Sequence, residues 1–251
     1  YRYYNMKKGL FLFDEMMEDL GQANEGDVIL LHGCCHNASG ADLSNEQWNL
    51  VADFMLERKL VPFIDIAYQG FANGIEKDAY VVKLLCDKLP EAIVASSCSK
   101  NFAIYRDRVG AVSIVSATED LSKINGSHVL KVVRSIYSMP PDHGAAVVSH
   151  ILNNVELRNL WIKEVDEMRT RVKEMRHKFV TQMAEKAPSS DFGYIAEQNG
   201  MFSYLTLTPE QTQILIKEHH IYMMANGRVN IAGLTLSNMD YVTDAIASLF
   251  N

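Results

Sequence analysis

Leu60-Val61-Pro62-Phe63-Ile64-Asp65-Ile66-Ala67-Tyr68 is the stretch on which the fold turns. Its first part, Leu60–Ile66, is a short β-rich apolar run, and it leads into a carboxylate and a phenol. Helix-like segments flank it. Glu46–Arg58 carries Trp48, Val51, Phe54 and Met55 on one face, and Ala79–Leu89 follows on the other side. Beyond these lie further β-rich runs at Asp27–Cys34, Ala92–Ser96 and Val109–Ser116. Strands that alternate with helices of this length imply crossover connections and a mostly parallel sheet, an α/β fold. The runs are apolar almost throughout, which predicts strands covered on both faces. The first three run into Gly33-Cys34-Cys35-His36-Asn37, Asp65-Ile66-Ala67-Tyr68 and Ser96-Ser97-Cys98-Ser99-Lys100. Polar residues thus gather beyond the carboxyl ends of neighbouring strands, the edge where ligands bind in open α/β sheets.

The 251 residues are 48% hydrophobic, 22% charged and 9% aromatic, values of a globular protein. They exclude disorder, a collagen-like chain and a disulfide mini-scaffold. The length suits one large domain or two unequal ones. With 24 Lys and Arg against 31 Asp and Glu the net charge is -7, which argues against nucleic acid and anionic membranes as main partners. A small anionic ligand held by a few arginines remains compatible with it. Four cysteines are too few for a disulfide framework, and no signal peptide opens the chain, so the cytoplasm is the expected compartment. Apolar runs such as Val28–Leu31 are too short to cross a bilayer. The chain opens at Tyr1-Arg2-Tyr3-Tyr4 without an initiator Met, as if in mid-strand.

After Pro140-Pro141 the texture changes. Val155–Ala187 reads as one long helix, with Trp161, Val165, Met168, Val172, Met175, Phe179 and Met183 spaced by threes and fours. Lys163, Glu164, Arg169, Arg171, Lys173 and Glu174 fall on its other face. The spacing admits a coiled coil or a helix packed on its own domain. Strand-like runs at Phe202–Leu207 and Arg228–Ile231 then alternate with helices at Pro209–His219 and Asn238–Phe250. The expected division is a first domain over 1–160 and the long helix plus a small α+β domain over 161–251.

Lys100, preceded by small hydroxyl residues at a strand end, reads either as an amine nucleophile that forms a Schiff base or as a loop lysine beside serines capping a following helix. As a nucleophile it needs a lowered pKa, for which Arg106 and Arg108 can supply a field. Asp65, closing so apolar a strand, needs a cation or several donors: a cationic ring, a metal, a helix cap or a salt bridge. Tyr68 points to the same ligand or to the core. Arg108, Arg134 and Arg228 sit among apolar or small neighbours, where a guanidinium pairs with an internal carboxylate, a phosphate or a ligand carboxylate. His32, Cys34, Cys35 and His36 lack the spaced-pair pattern of zinc ligands, so no metal site is expected.

Taken in order, these segments resemble the class I pyridoxal-phosphate aminotransferases, in the aspartate and aromatic amino acid branch. The resemblance rests on His32-Gly33-Cys34-Cys35-His36-Asn37, Asp65-Ile66-Ala67-Tyr68-Gln69-Gly70-Phe71, Ser96-Ser97-Cys98-Ser99-Lys100-Asn101-Phe102 and Arg108-Val109-Gly110. It continues through Tyr137-Ser138-Met139-Pro140-Pro141, Gln198-Asn199-Gly200-Met201-Phe202-Ser203 and Gly227-Arg228-Val229-Asn230. It covers this chain from end to end and corresponds to the C-terminal two-thirds of the family. The resemblance implies PLP fold type I and pyridoxal 5'-phosphate as cofactor, with Lys100 holding it as a Schiff base and shuttling the proton. It implies that Asp65 pairs with the ring nitrogen, that Asn37 and Tyr68 bond the ring's phenolic oxygen, and that Ser97 and Arg108 bind the phosphate. Arg228 would clamp the substrate α-carboxylate beside Asn37 and Phe202. Arg134 would reach the distal carboxylate in the neighbouring site of a homodimer.

Departures are Asn37-Ala38-Ser39-Gly40 for the family's Asn-Pro-Thr-Gly, Cys98 for a frequent Tyr, and Met139 for an Asn. An apolar Met139 near Arg134 shifts the expectation from strict dicarboxylate preference toward aromatic side chains as well. Absent from this stretch are the family's N-terminal arm and the first part of the large domain, so a complete chain of this length would hold the cofactor poorly. The activity so implied is transamination between an L-amino acid (aspartate, glutamate or aromatic) and a 2-oxo acid. The alternatives are another PLP activity on the same scaffold and a cofactor-poor fragment that acts as a dimerisation or binding module.

Overall fold

A computed structural model describes residues 1–250; Asn251, the end of the second expected domain, lies outside the described residues. In chain order the elements are β1 (Tyr4–Asn5), β2 (Leu10–Phe11), α1 (Phe13–Leu20), β3 (Val28–His32), α2 (Asn45–Glu57) and β4 (Val61–Ile66). There follow α3 (Ile75–Asp78), α4 (Tyr80–Lys88), β5 (Ala92–Ser97), β6 (Gly110–Val115), α5 (Glu119–Ile136), α6 (His143–Asn153) and α7 (Val155–Lys186). The last are β7 (Phe202–Tyr204), α8 (Pro209–His219), β8 (Arg228–Asn230) and α9 (Met239–Ala247).

The chain divides into two compact units that are not consecutive stretches. The sheet unit comprises Gln22–Cys34 and Leu43–Asp166, and the C-terminal unit comprises Tyr1–Gly21, Cys35–Asp42 and the chain from Glu167 onward. This differs from a boundary after residue 160, because the first 21 residues and the Cys35–Asp42 loop make their contacts with the C-terminal unit.

In the sheet unit the strand order is β3-β4-β5-β6, with β3/β4 and β4/β5 parallel and β5/β6 antiparallel. The parallel pairs are joined through α2 and α4, whereas only a turn-rich loop joins β5 to β6. Burial alternates along β4: Pro62, Ile64 and Ile66 are buried, while Val61, Phe63 and Asp65 are half-buried. Leu31, Ile64 and Val94 stand in register on one face of the sheet and are buried, as are Trp48, Val51 and Met55 of α2 and Leu85 of α4. The opposite face stays open, with Leu30 49% and Val112 56% exposed. The expectation of strands covered on both faces is thus corrected. Right-handed crossovers that advance in one direction across a sheet put both of their helices on the same face.

α2 starts where Ser44 and Gln47 form a reciprocal capping box, which satisfies two orphan N–H groups. α5 and α6 fill a region for which no helix was expected. α5 has no buried residue, and Leu130 and Ile136 are each 70% exposed.

In the C-terminal unit, Val172, Met175, Phe179 and Met183 of α7 form a buried cluster with Leu205, Leu215, Ile231, Met239 and Ile246. The three-and-four spacing along α7 therefore seals this unit's own core and is not a coiled-coil seam. β7 and β8 pair antiparallel, Phe202 opposite Asn230 and Tyr204 opposite Arg228. No helix among the described residues is long and apolar enough to cross a membrane.

Candidate active site

The sheet unit gathers Asp65, Tyr68, Ser97, Lys100 and Arg108 around the carboxyl ends of β4 and β5. Asp65 is the penultimate residue of β4, in register with His32 on one side and Ala95 on the other. Ser97 ends β5 opposite Gly110 of β6, and its Oγ accepts the Ser99 N–H at 3.2 Å. The β5–β6 loop holds Lys100. No helix follows Lys100, contrary to one reading of its serine neighbours: turns continue to Arg108. Ala103 and Arg108 both take left-handed backbone conformations, φ 56° and 54°. Each costs about 1–2 kcal/mol outside glycine, and such residues concentrate at functional sites. The Cys98 N–H bond to the Val109 carbonyl, 3.0 Å, closes the loop and returns the chain beside Ser97.

The Lys100 Nζ lies 4.4 Å from the centre of the Tyr68 ring, a cation–π distance, and Tyr68 is buried. Burial pushes the Lys100 amine below its ordinary value of 10.5, and the Arg108 charge lowers it further while Asp65 opposes both. Of the two arginines considered for this field, Arg108 acts on it. The amine is thus biased toward the neutral form that a nucleophile requires.

Two supports of this arrangement escaped sequence reading. Asp78 is buried, and its carboxylate accepts the N–H groups of Gly70, Ala72 and Asn73 at 2.8, 3.0 and 2.7 Å, fixing the loop after Tyr68. The Trp161 indole N–H donates to the Asn101 carbonyl at 2.7 Å, and its ring stacks on Phe102 at 4.5 Å, holding the residues after Lys100. A lone Asp in Gly74-Ile75-Glu76-Lys77-Asp78 carried no signal; Trp161 was visible only as part of an apolar stripe.

The C-terminal unit gathers Asn37, Phe202 and Arg228. The Arg228 Nη2 donates to Asn37 Oδ1 at 3.0 Å, and its guanidinium lies 4.0 Å over the Phe202 ring. The Arg228 Nε is buried without a partner among the described residues. Arg228 extends from β8 beside Phe202 of β7 because the two strands pair. Cys34 and Cys35 are buried, and His36 Nδ1 bonds Ser39 Oγ at 2.8 Å while its ring stacks on Tyr3. Among the described residues no group of three or more His, Cys, Asp or Glu is arranged to hold a metal ion.

Three expectations change. Asp65 is half-buried rather than enclosed, because it lies on the open face of the sheet. Arg108 is exposed and donates to the Tyr105 carbonyl at 3.1 Å instead of a carboxylate. Arg134, although its sequence neighbours are apolar, is exposed on α5 and has no hydrogen-bond or ion-pair partner among the described residues. Its neighbours Val132 and Ile136 are themselves exposed, so apolar surroundings in sequence did not mean burial.

A family model described as aminotransferase class I and II matches residues 1–246. The chain belongs to the class I and II aminotransferases. The aspartate aminotransferase of Haemophilus influenzae is 43% identical over 249 residues, 99% of this chain and 63% of that protein. The aromatic-amino-acid aminotransferase of Pseudomonas aeruginosa is 43% identical over 236 residues, 94% of this chain and 59% of that protein. The crystal structure of an aromatic-amino-acid aminotransferase from Burkholderia pseudomallei, covalently bound to pyridoxal phosphate, superposes with a TM-score of 0.97 at 41% identity. It covers all of this chain and 63% of that one. The chain thus has the aminotransferase fold, and it spans about three-fifths of the length of the curated relatives it matches.

Proposed function

We propose that this chain carries most of the site of a pyridoxal 5'-phosphate-dependent aminotransferase, which moves an amino group between aspartate, glutamate or an aromatic L-amino acid and a 2-oxo acid. The observation that carries the reading is Lys100: an amine at the end of β5, depressed in pKa by burial, over the Tyr68 ring and in the field of Asp65 and Arg108. In this reading the sheet unit is the remainder of the large cofactor-binding domain, and the C-terminal unit contains the small domain.

The donor set fits the cofactor. An amine suits its aldehyde, a carboxylate on the open face suits a cationic ring nitrogen, and a hydroxyl with an exposed guanidinium suits a phosphate. When bound, pyridoxal phosphate supplies an electron sink for a carbanion at the substrate α-carbon. Lys100 is assigned the reacting amine and, once free, the proton carrier at that carbon. Asp65 is assigned the ring nitrogen, Tyr68 and Asn37 the phenolic oxygen, and Ser97 and Arg108 the phosphate. Arg228 binds the substrate α-carboxylate, with the Phe202 ring as its platform.

A homodimer belongs to the same reading, with Arg134 reaching the partner's site to bind a distal carboxylate. The unpaired Arg134 and the apolar exposure of α5 support it. A cytoplasmic location is supported by four cysteines that are all free thiols.

The test is amino transfer from L-aspartate and from L-phenylalanine to 2-oxoglutarate by the chain loaded with pyridoxal phosphate, read as glutamate formed. Glutamate formation that disappears in Lys100→Ala is expected. Formation no faster than in Lys100→Ala overturns the reading in favour of a module that binds without turnover, which the open sheet face also suits.

A further inference from the structure

The C-terminal unit buries a charge that none of these assignments uses. Arg176, on α7, is 1% exposed. Its guanidinium donates to the Ile195 carbonyl at 3.2 Å and Ser203 Oγ at 2.6 Å through Nη1. Through Nη2 it reaches the carbonyls of Asn199, Gly200 and Phe202 at 3.1, 2.7 and 2.8 Å. All five acceptors are uncharged oxygens, and Nε has no partner among the described residues. Burying a guanidinium on such terms is costly, and an apolar side chain would fill the α7 stripe without that cost. Burial lowers its pKa to about 10, with Asp42 among the groups that oppose the shift. What the guanidinium achieves is geometric: one planar fork gathers the carbonyls of a whole turn, Ile195 to Phe202.

That turn is tied from its other side as well. The Asn199 N–H donates to the Gly40 carbonyl at 2.7 Å, and Asn199 Nδ2 donates to Asp42 Oδ2 at 3.2 Å. The Asp42 carboxylate also accepts the N–H groups of Cys35 and His36, both at 2.9 Å. The next residue is Asn37, which holds Arg228, and Arg228 covers the ring of Phe202, whose carbonyl returns to Arg176. The circuit is closed and tightly packed. A methyl group on Gly40 would meet the Phe202 and Asn199 carbonyl oxygens at 2.7 and 2.9 Å.

We propose that Arg176 and Asp42 are positioning residues for the carboxylate clamp. They hold the Asn199–Phe202 and Cys35–Asn37 segments in one register, so that the Asn37 amide and the Phe202 ring aim the Arg228 guanidinium. Arg228 donates to Asn37 through Nη2 alone, which leaves the remaining N–H groups of its terminal Nη pair to take a carboxylate. This inference rests on the aminotransferase reading, because the ligand is the α-carboxylate of its substrates.

The test uses the full chain loaded with pyridoxal phosphate and titrates it calorimetrically with succinate, a carboxylate without an amino group. The variants are Asn199→Ala, which removes only the amide link to Asp42, together with Asp42→Asn and Arg176→Lys, each also combined with Arg228→Lys. Each substitution is expected to weaken succinate binding about tenfold, the scale of one misaligned charge-assisted hydrogen bond. In the Arg228→Lys background the same substitutions are expected to change affinity less than about twofold, because groups that act through one residue are not additive. A merely structural role leaves the effects independent of Arg228. Wild-type affinity in Asn199→Ala and Asp42→Asn, or equal effects in both backgrounds, overturns the positioning role alone. No succinate binding by the unsubstituted chain overturns the aminotransferase reading, and this role falls with it.

Discussion

Gly200→Ala tests how closely the turn gathered by Arg176 packs on the Cys35 loop. Gly200 has φ 76°, a left-handed conformation that an alanine adopts at a cost of about 1–2 kcal/mol. A methyl group there would lie 2.5 Å from Cβ and 3.2 Å from Sγ of Cys35, which is buried and held by the bond from its N–H to Asp42. Overpacking of this kind costs about 1–3 kcal/mol, so the total loss is about 2–5 kcal/mol. Cys35 is itself left-handed at φ 51°, and Cys35→Gly removes the obstructing Cβ without new strain. The double variant Cys35→Gly/Gly200→Ala should therefore recover the steric part, a coupling of about 1–3 kcal/mol in a double-mutant cycle. Urea unfolding followed by circular dichroism, with equal denaturant slopes, supplies the four stabilities. A coupling below about 0.5 kcal/mol, the additivity expected of independent sites, refutes the contact and the argument built on it.

Lys100 provides a prediction in pH. Asp65→Asn removes a charge that favours the ammonium and should lower the Lys100 pKa further, whereas Arg108→Gln should raise it. The rate of Lys100 acylation against pH, mapped by peptide mass, reads both, and identical midpoints in all three proteins contradict the assignment. The folded amine releases its proton before the unfolded one, at its ordinary 10.5, so stability rises with pH between the two values. Lys100→Met should flatten that slope, and an unchanged slope speaks against a depressed amine. Ser44→Ala removes the acceptor that bonds the Gln47 N–H at 3.2 Å at the start of α2 and should cost about 1 kcal/mol; a loss under a few tenths means the cap is idle. Arg134→Ala touches no partner among the described residues and should change stability by less than about 0.5 kcal/mol. It should at the same time raise the KM for aspartate far more than for phenylalanine. Equal changes for both substrates remove Arg134 from the distal-carboxylate role.

The parts of the fold that were legible in sequence are those where local physics agrees with packing. β4 and β5 announce themselves as apolar runs, and α8 occupies Pro209–His219 because Thr208, Pro209 and Gln211 supply a capping box and a favourable first position. The cluster around Lys100 was legible because strand ends are where an α/β sheet exposes polar groups. Which face of the sheet the helices cover was not, since that follows from crossover handedness rather than from composition. α5 was missed although Leu121, Ile124, Val132 and Ile136 recur at helical spacing, because Gly126 and the β-branched Val129, Val132 and Val133 are poor helix formers.

Arg176 shows a different limit. It lies four residues after Val172 and three before Phe179, inside the buried stripe of α7, yet a charged residue in a charged helix passes for the solvated face. Its position within the stripe was the signal. Asp42 and Asp78 gave none, because a carboxylate that accepts loop N–H groups looks in sequence like any surface acid.

The most direct test of the central claim is the near-visible absorbance of this polypeptide, with its intact mass confirmed, after incubation with pyridoxal 5'-phosphate and gel filtration. The account predicts a retained absorbance band that shifts when L-aspartate is added and that is absent from Lys100→Ala. A chain that emerges from the column without the band, or one whose band is the same in Lys100→Ala, contradicts it.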